Sequence, residues 1–308
     1  MSTIAVAGGT GGLGRAIVDG LNAAGKSTVV VLSRESTKEK EKELGARMIA
    51  VDYNDVASVS AVLEKNNIDT VICTLSTPGP EAELALISAV EKSRVTNRYI
   101  PAIWTIPYNS EMIPYFPPAG SKLQVLAALE KTSLQYTAFY NGFFLDYFVP
   151  GVPTYLRPLT WAVDVQNNAA SIPGTGDVPV VLTHTSDVAK FVAAYMEKPN
   201  WDKEAYIIGN RLTLNELIRL VEEAKGVKFT VTYDSVDDLS AGKVTELPSH
   251  PPAYAVFPKE ALQGFLAGFG LLAVNGALNL KPERTLNQDF GSIKPQTVKE
   301  LLALSFKA

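Results

Sequence analysis

Residues 4–14 read Ile4-Ala5-Val6-Ala7-Gly8-Gly9-Thr10-Gly11-Gly12-Leu13-Gly14. Four apolar residues run into a glycine-rich turn, after which Leu13, Ile17 and Leu21 recur at helical spacing until Gly25. A buried strand, a glycine turn and an amphipathic helix in that order open a βαβ unit. Working outward, the alternation repeats. Residues 28–32 form a second run rich in β-branched side chains, and the Lys/Glu-rich window 35–43 reads as a solvated helix. Residues 47–51 read as a strand, 56–63 as a helix with Val59 and Val62 inward, 70–75 as a strand and 84–90 as a helix. A short strand at 98–101, a helix at 122–130 and a sixth strand at 136–140 complete the series.

The composition narrows what such a chain does. Of 308 residues, 46% are apolar and 19% charged, which excludes wholesale disorder. The 28 Lys and Arg against 32 Asp and Glu give a net charge of −4; with no basic stripe, direct nucleic-acid binding is not expected. Cys73 is the only cysteine, and His184 and His250 are the only histidines, so no metal cluster is spaced along the chain. The N-terminus carries no basic and apolar leader pattern, which predicts a cytoplasmic protein. Residues 261–280 are uncharged and almost long enough for a membrane span. Gln263, Asn275 and Asn279 interrupt them, as do Gly264, Gly268, Gly270 and Gly276. The segment therefore reads as a buried apolar helix and loop walling a pocket, with no membrane partner.

From about residue 142 the rhythm changes. Phe143, Phe144, Tyr147, Phe148, Tyr155 and Trp161 gather near the Pro- and Gly-rich stretch 150–179, as they would around an enclosed apolar ligand. Residues 187–197 read as a helix, 205–208 as a strand, and Thr213-Leu214-Asn215-Glu216 as a capping box opening a helix that stops at Gly226. Residues 229–233 read as a further strand. The expected architecture is α/β: a Rossmann-type doubly wound parallel sheet over residues 1–145, and a smaller mixed α/β substrate-binding part over 146–308. The two share a cleft, and later segments are free to complete core strands.

Glycines at 8, 11 and 14 give a tight turn, let the backbone approach a pyrophosphate, and let the helix pack closely on the strand. The helix N-terminus adds free N–H donors and a positive dipole end for an anion. The spacing is Gly-x-x-Gly-x-x-Gly rather than the Gly-x-Gly-x-x-Gly of simple dehydrogenases. Strand, loop and helix together point to a dinucleotide. At the end of the second strand stands Ser33-Arg34, where an acidic residue would select NAD. An arginine fork suits a 2′-phosphate, so NADP(H) is expected, with Lys38 as a second cation. The competing reading makes Arg34 part of the solvated Lys/Glu face beside Glu35.

No tyrosine has a lysine four residues on, so the Tyr-x-x-x-Lys pair of short-chain dehydrogenases is absent, as is any Gly-x-Ser-x-Gly elbow. His184 reads as structural, ahead of the Ser186-Asp187 helix start. Lys122, in Ala119-Gly120-Ser121-Lys122, reads as a first-turn residue. A helix dipole opposes a cation there, so this lysine does not serve its own helix and suits acid/base work. From spacing alone, a plain surface lysine is the favoured reading.

The Gly8 to Gly14 loop is followed by Val31-Leu32-Ser33-Arg34-Glu35, the strand ending at Ser76, Arg98-Tyr99-Ile100-Pro101 and Gly120-Ser121-Lys122 with Leu129-Glu130. Next come Tyr136-Thr137-Ala138-Phe139-Tyr140-Asn141-Gly142-Phe143-Phe144 and Leu212-Thr213-Leu214-Asn215-Glu216. In order and spacing these motifs resemble the NmrA-like group of atypical short-chain dehydrogenases, which includes the isoflavone and phenylcoumaran benzylic ether reductases. The resemblance covers residues 1 to about 235. It implies that Gly8, Thr10, Gly11, Gly12, Leu13 and Gly14 hold the pyrophosphate, that Ser33 and Arg34 hold the 2′-phosphate, and that Leu75 and Ser76 border the cofactor. It implies that Lys122 is the general acid/base beside the nicotinamide and that Asn141, Phe143 and Phe144 flank nicotinamide and substrate. Where the plant reductases read Pro-Ser-Glu-Phe-Gly, this chain has Pro101-Ala102-Ile103-Trp104-Thr105. That departure suggests a pocket recut by Trp104, with Phe144 and Tyr147, for a flat apolar ligand. The expected function is an NADPH-dependent reductase of a hydrophobic, aromatic small molecule of secondary metabolism, acting on a carbonyl or activated C=C, in a chain able to form a homodimer. The alternative is an NADP(H)-sensing regulator that binds a protein partner without catalysis.

Overall fold

The pivot of the fold is β1 (Ser2–Ala7), which pairs in parallel with β2 (Ser27–Ser33) on one side and β4 (Thr70–Cys73) on the other. The computed structural model describes residues 2–76 and 79–306. Beyond β2 lies β3 (Arg47–Ala50), and beyond β4 lie β5 (Arg98–Ile100) and β6 (Gln135–Tyr136). The sheet is wholly parallel in the order β3-β2-β1-β4-β5-β6, so chain direction across it reverses between β1 and β4. Ligands of such sheets bind outside the carboxyl ends of the strands at that switch point. Residues 4–7, 29–32 and 71–73 are fully buried, the unbroken apolar pattern of strands covered on both faces.

The covering helices are α1 (Gly12–Ala24), α2 (Lys38–Leu44), α3 (Val56–Lys65), α4 (Glu81–Lys92) and α5 (Pro118–Leu129). α1 buries Leu13, Ile17 and Leu21 and stops at left-handed Gly25. α2 buries only Leu44, as its Lys/Glu repeat requires. On α3 Val59 is buried as expected and Val62 is partly buried against the same core, with Leu63 buried beside them.

The expected sixth strand at 136–140 is broken at Thr137. Its hydroxyl donates to the Asp202 carbonyl at 2.6 Å, which draws β7 (Ala138–Tyr140) away from the main sheet. After β8 (Phe143–Phe144), β9 (Val163–Asp164), β10 (Ala169–Pro173), β11 (Val180–Thr183) and α6 (Thr185–Tyr195) comes β12 (Glu204–Tyr206), which pairs in parallel with β7. Then follow β13 (Asn210–Leu212), α7 (Leu214–Lys225), β14 (Thr230–Asp234), α8 (Val236–Ser240), α9 (His250–Ala253), α10 (Lys259–Val274), α11 (Leu286–Asp289) and α12 (Val298–Ser305). Two three-stranded sheets, β14-β10-β9 and β13-β11-β8, flank the main one.

The capping box of α7 forms in both directions, with Thr213 Oγ1 accepting the Glu216 N–H and Glu216 Oε2 accepting the Thr213 N–H. α6 lies on α1, where Gly20 faces Ala189 so closely that a Cβ would stand 2.9 Å from the alanine methyl. Among the described residues no helix is long and apolar enough to cross a membrane. The uncharged stretch is α10, 16 residues long and buried from Leu262 to Ala273 on most of its circumference.

Candidate active site

Gly8 leaves β1 with φ +81°, and a Cβ there would meet Thr74 Oγ1 at 2.9 Å. A Cβ on Gly14 would stand 2.5 Å from the Gly8 carbonyl oxygen, so α1 approaches the turn at a distance only glycine permits. Gly11 is different in kind: its backbone is extended and nothing lies within 4 Å of where its Cβ would stand. It is the N-cap of α1 with no side-chain cap, so the first N–H groups of the helix have no partner from its side chain. Thr10 and Gly11 are exposed and Gly12 is half-buried, whereas the Leu13 side chain is in the core and offers only its backbone. The loop thus presents donors to an anion over open space at Gly11.

Ser33 ends β2 half-buried, and Arg34 follows it exposed, with no hydrogen bond or ion pair among the described residues. Lys38 opens α2, also exposed. An unpartnered arginine beyond β2 is available to a phosphate.

Lys122 lies in the second turn of α5, not the first. The helix begins four residues earlier, where Pro118 presets the N1 conformation. A dipole effect falls off within one turn, so the expectation that the helix field acts on this lysine is corrected. What surrounds it is a cavity of about 50 Å³ lined by Leu75, Gly79, Pro80, Glu83, Pro118, Ser121, Lys122 and Val125. Lys122 is half-buried and forms no hydrogen bond or ion pair among the described residues. Leu75, from the carboxyl end of β4, shares this cavity; Ser76 beside it is exposed.

Glu83, on α4, escaped the sequence reading. It is 4% exposed, and its Oε1 accepts the Ala102 N–H at 2.7 Å. Burial pushes its carboxyl above the ordinary 4.5, against the pull of the Ala102 N–H and of the Lys122 charge. Beside it lie the Cys73 thiol and the Tyr99 hydroxyl, both pushed well up by burial. The Tyr99 hydroxyl makes no well-formed hydrogen bond. The only sequence signal was a glutamate among the inward positions of an otherwise apolar helix face.

None of Trp104, Phe143, Phe144 and Tyr147 lines the Lys122 cavity. Trp104 is 8% exposed, stacks on Phe139 at 5.6 Å and donates its indole N–H to the Cys73 carbonyl. Phe143 is buried among Trp161, Phe269 and Tyr147, while Phe144 and Tyr147 remain half-buried. A second aromatic row went unread in the sequence. Tyr108 stacks on Phe116, which packs on Phe265 and Phe269 of α10. Gly268 lets that helix press on the segment entering α5, since a Cβ would stand 2.6 Å from the Tyr115 carbonyl. The expected apolar wall at 261–280 is therefore α10, packed on the approach to Lys122.

Asn141 is fully buried, and its side-chain oxygen has no hydrogen-bond partner among the described residues. His184 caps α6 by accepting the Ser186 N–H, and its imidazole lies 3.5 Å from Asp146, a structural station at the helix start.

The residues present fit a dinucleotide: a helix N-terminus without a side-chain cap, open at Gly11 and held at the Gly12 N–H by the Tyr155 carbonyl, an arginine beyond β2 with no hydrogen bond or ion pair among the described residues, and a buried amide oxygen without a partner among them. Fold and site together define a dinucleotide-binding protein of the Rossmann class. The chain belongs to the NmrA-like family, whose model matches residues 1–251. It is 34% identical to the oxidoreductase BOA1 of Botryotinia fuckeliana over 272 residues, 87% of this chain and 89% of that one. It is 31% identical to the oxidoreductase swnN of Metarhizium robertsii over 283 residues, 82% of each. Among solved structures, the binary complex of leucoanthocyanidin reductase with NADPH from Vitis vinifera is similar in fold, with a TM-score of 0.78 at 17% identity over 99% of both chains.

Proposed function

We propose that this chain is an NADPH-dependent reductase that acts on a carbonyl or activated double bond of a hydrophobic, aromatic small molecule of secondary metabolism. The observation that carries the reading is Lys122, a lysine with no hydrogen bond or ion pair among the described residues, in a cavity that also takes in the end of β4. The relatives named as oxidoreductases and the glycine loop with Arg34 support it. When bound, NADPH supplies a hydride to the substrate. The loop from Gly8 to Gly14 holds the pyrophosphate through backbone N–H groups, Ser33 and Arg34 take the 2′-phosphate, and Leu75 and Ser76 border the ring. Asn141, with Phe143 behind it, orients the nicotinamide end. Lys122 polarises or protonates the oxygen on which negative charge develops, and the aromatic residues of α10 and its neighbours keep water away. The division of labour follows: residues 1–145 bind the cofactor, and residues 146–308 close over the substrate.

The deciding experiment replaces Lys122 with Ala and measures NADPH binding by intrinsic fluorescence alongside turnover of flat aromatic carbonyls. Binding is expected to survive and turnover to vanish. Turnover that persists removes Lys122 from the mechanism, and binding with no turnover of any carbonyl by the unaltered chain favours a dinucleotide-sensing regulator.

A further inference from the structure

Glu83 is an expensive residue for the job its backbone contact describes. One N–H, that of Ala102, needs one neutral acceptor, and a carboxylate buried to 4% exposure loses its hydration in exchange. The Cys73 thiol and the Tyr99 hydroxyl lie close enough to draw its carboxyl down, but both are neutral and leave its charge uncompensated. From β4 comes the Cys73 thiol, from β5 the Tyr99 hydroxyl, and from α5 the Lys122 ammonium, which acts on it across the cavity without forming an ion pair. That cavity, about 50 Å³ and lined by both Glu83 and Lys122, exceeds the roughly 10–15 Å³ a water molecule needs. Carboxyl and amine therefore line one small cavity with room for water, with the backbone after β5 fixing the carboxyl from behind.

We propose that Glu83 is a positioning residue that resupplies the proton Lys122 gives up. The proposal rests on the reading of Lys122 as the acid. When the substrate oxygen takes a proton, one Nζ–H bond of Lys122 breaks and an O–H bond forms on the substrate. The Glu83 carboxylic acid then passes its proton through water in the cavity to the Lys122 amine and becomes a carboxylate. Solvent entering the cavity returns a proton to that carboxylate, and the cycle closes with one proton consumed per hydride transferred. Burial raises the Glu83 carboxyl above its ordinary value, which favours the acid form the relay uses, while the shared cavity supplies the path.

Two measurements test this. The first follows the carboxyl carbons of 13C-labelled glutamates by NMR during a pH titration, with the Glu83 signal assigned by its loss in Glu83→Gln. Its midpoint is expected above 4.5 and higher still in Lys122→Met, since the ammonium is one of the groups holding it down. A midpoint unmoved by Lys122→Met means the two groups do not communicate and overturns the relay. The second follows NADPH consumption with 9,10-phenanthrenequinone as probe. Glu83→Gln still accepts the Ala102 N–H, so a purely structural role survives it. The relay predicts that kcat falls about tenfold or more, that KM for NADPH is unchanged, and that the alkaline limb of the profile moves to lower pH, with partial recovery in Glu83→Asp. An unchanged kcat and pH profile in Glu83→Gln, with Lys122→Ala inactive, overturns the relay and leaves Lys122 in place. Activity retained in Lys122→Ala overturns the underlying reading itself. A native chain that binds NADPH but consumes none of the probe counts against Lys122 as an acid and overturns the relay with it.

Discussion

The Tyr155 carbonyl accepts the Gly12 N–H at 3.1 Å, so one donor of the glycine loop is already in use by the chain itself. The strap around it is held twice more: the Tyr155 hydroxyl donates to Asp19 at 2.7 Å, and the Arg15 guanidinium lies over the ring at 5.1 Å. A pyrophosphate drawing on Gly12 displaces that carbonyl, and the strap loosens. Chymotryptic cleavage after Tyr155, already 47% exposed, is therefore expected to speed up when NADP+ is added. Slower cleavage would mean that the strap closes over the cofactor instead. Tyr155→Phe, which removes one exposed hydrogen bond worth about 0.5 kcal/mol, should tighten NADPH about twofold in a fluorescence titration.

Arg34 forms no hydrogen bond or ion pair among the described residues, so replacing it orphans none of them. Arg34→Ala should weaken NADPH by about 10- to 100-fold, the range of a lost charge-assisted hydrogen bond of about 1.5–3 kcal/mol, and leave NADH unaffected. Equal weakening of both dinucleotides would show that Arg34 does not read the 2′-phosphate.

Two glycines of one loop should fail in opposite ways. Gly14→Ala forces a Cβ to within 2.5 Å of the Gly8 carbonyl, and overpacking of this kind costs about 1–3 kcal/mol, visible as a lower Tm. Gly11→Ala meets nothing within 4 Å and adopts its extended backbone freely, so Tm should hold. Its methyl group projects where a pyrophosphate would lie, and NADPH binding should be lost. A stable Gly14→Ala, or a Gly11→Ala that binds normally, would contradict this division.

The main sheet was legible because each of its central strands is buried on both faces, which writes an unbroken apolar run into the sequence at 4–7, 29–32 and 71–73. The glycine loop was legible for the same local reason: strand, turn and helix are consecutive. What escaped depends on partners far along the chain. Nothing near Thr137 says that Asp202 will break the sixth strand, and nothing near Phe116 says that Phe269 will stand 4.9 Å away. Lys122 was found, but its place in the helix was not, since Pro117-Pro118 reads as a turn until its neighbours show that the second proline is the first helical residue. Glu83 was missed because one inward carboxylate among the three glutamates of α4 carries no periodicity of its own.

His250 makes stability depend on pH in a window where few other groups act. It is 2% exposed, accepts the Leu247 N–H at Nδ1 and faces the Thr160 carbonyl through Nε2, so the folded chain holds the neutral ring. Burial lowers its pKa below the ordinary 6.5, against the Thr160 carbonyl and Asp164. The unfolded chain then binds the proton more readily than the folded one. Stability from this group is complete above pH 6.5 and is lost as pH falls through the lower folded value. The surface carboxylates Glu246 and Glu300 and the half-buried Glu222, held down by Lys259, the Thr297 N–H and Lys228, lose their contributions only below 4.5. Glu83 has the opposite sign, since its raised pKa makes stability decline as pH rises above 4.5. It titrates alike in both chains, so comparing the native chain with His250→Asn, which keeps an acceptor for Leu247, isolates the histidine. Between pH 7 and 5 the Tm of the native chain should fall more steeply than that of His250→Asn. Parallel curves would show that the ring stays neutral throughout, or that protonation costs the fold nothing.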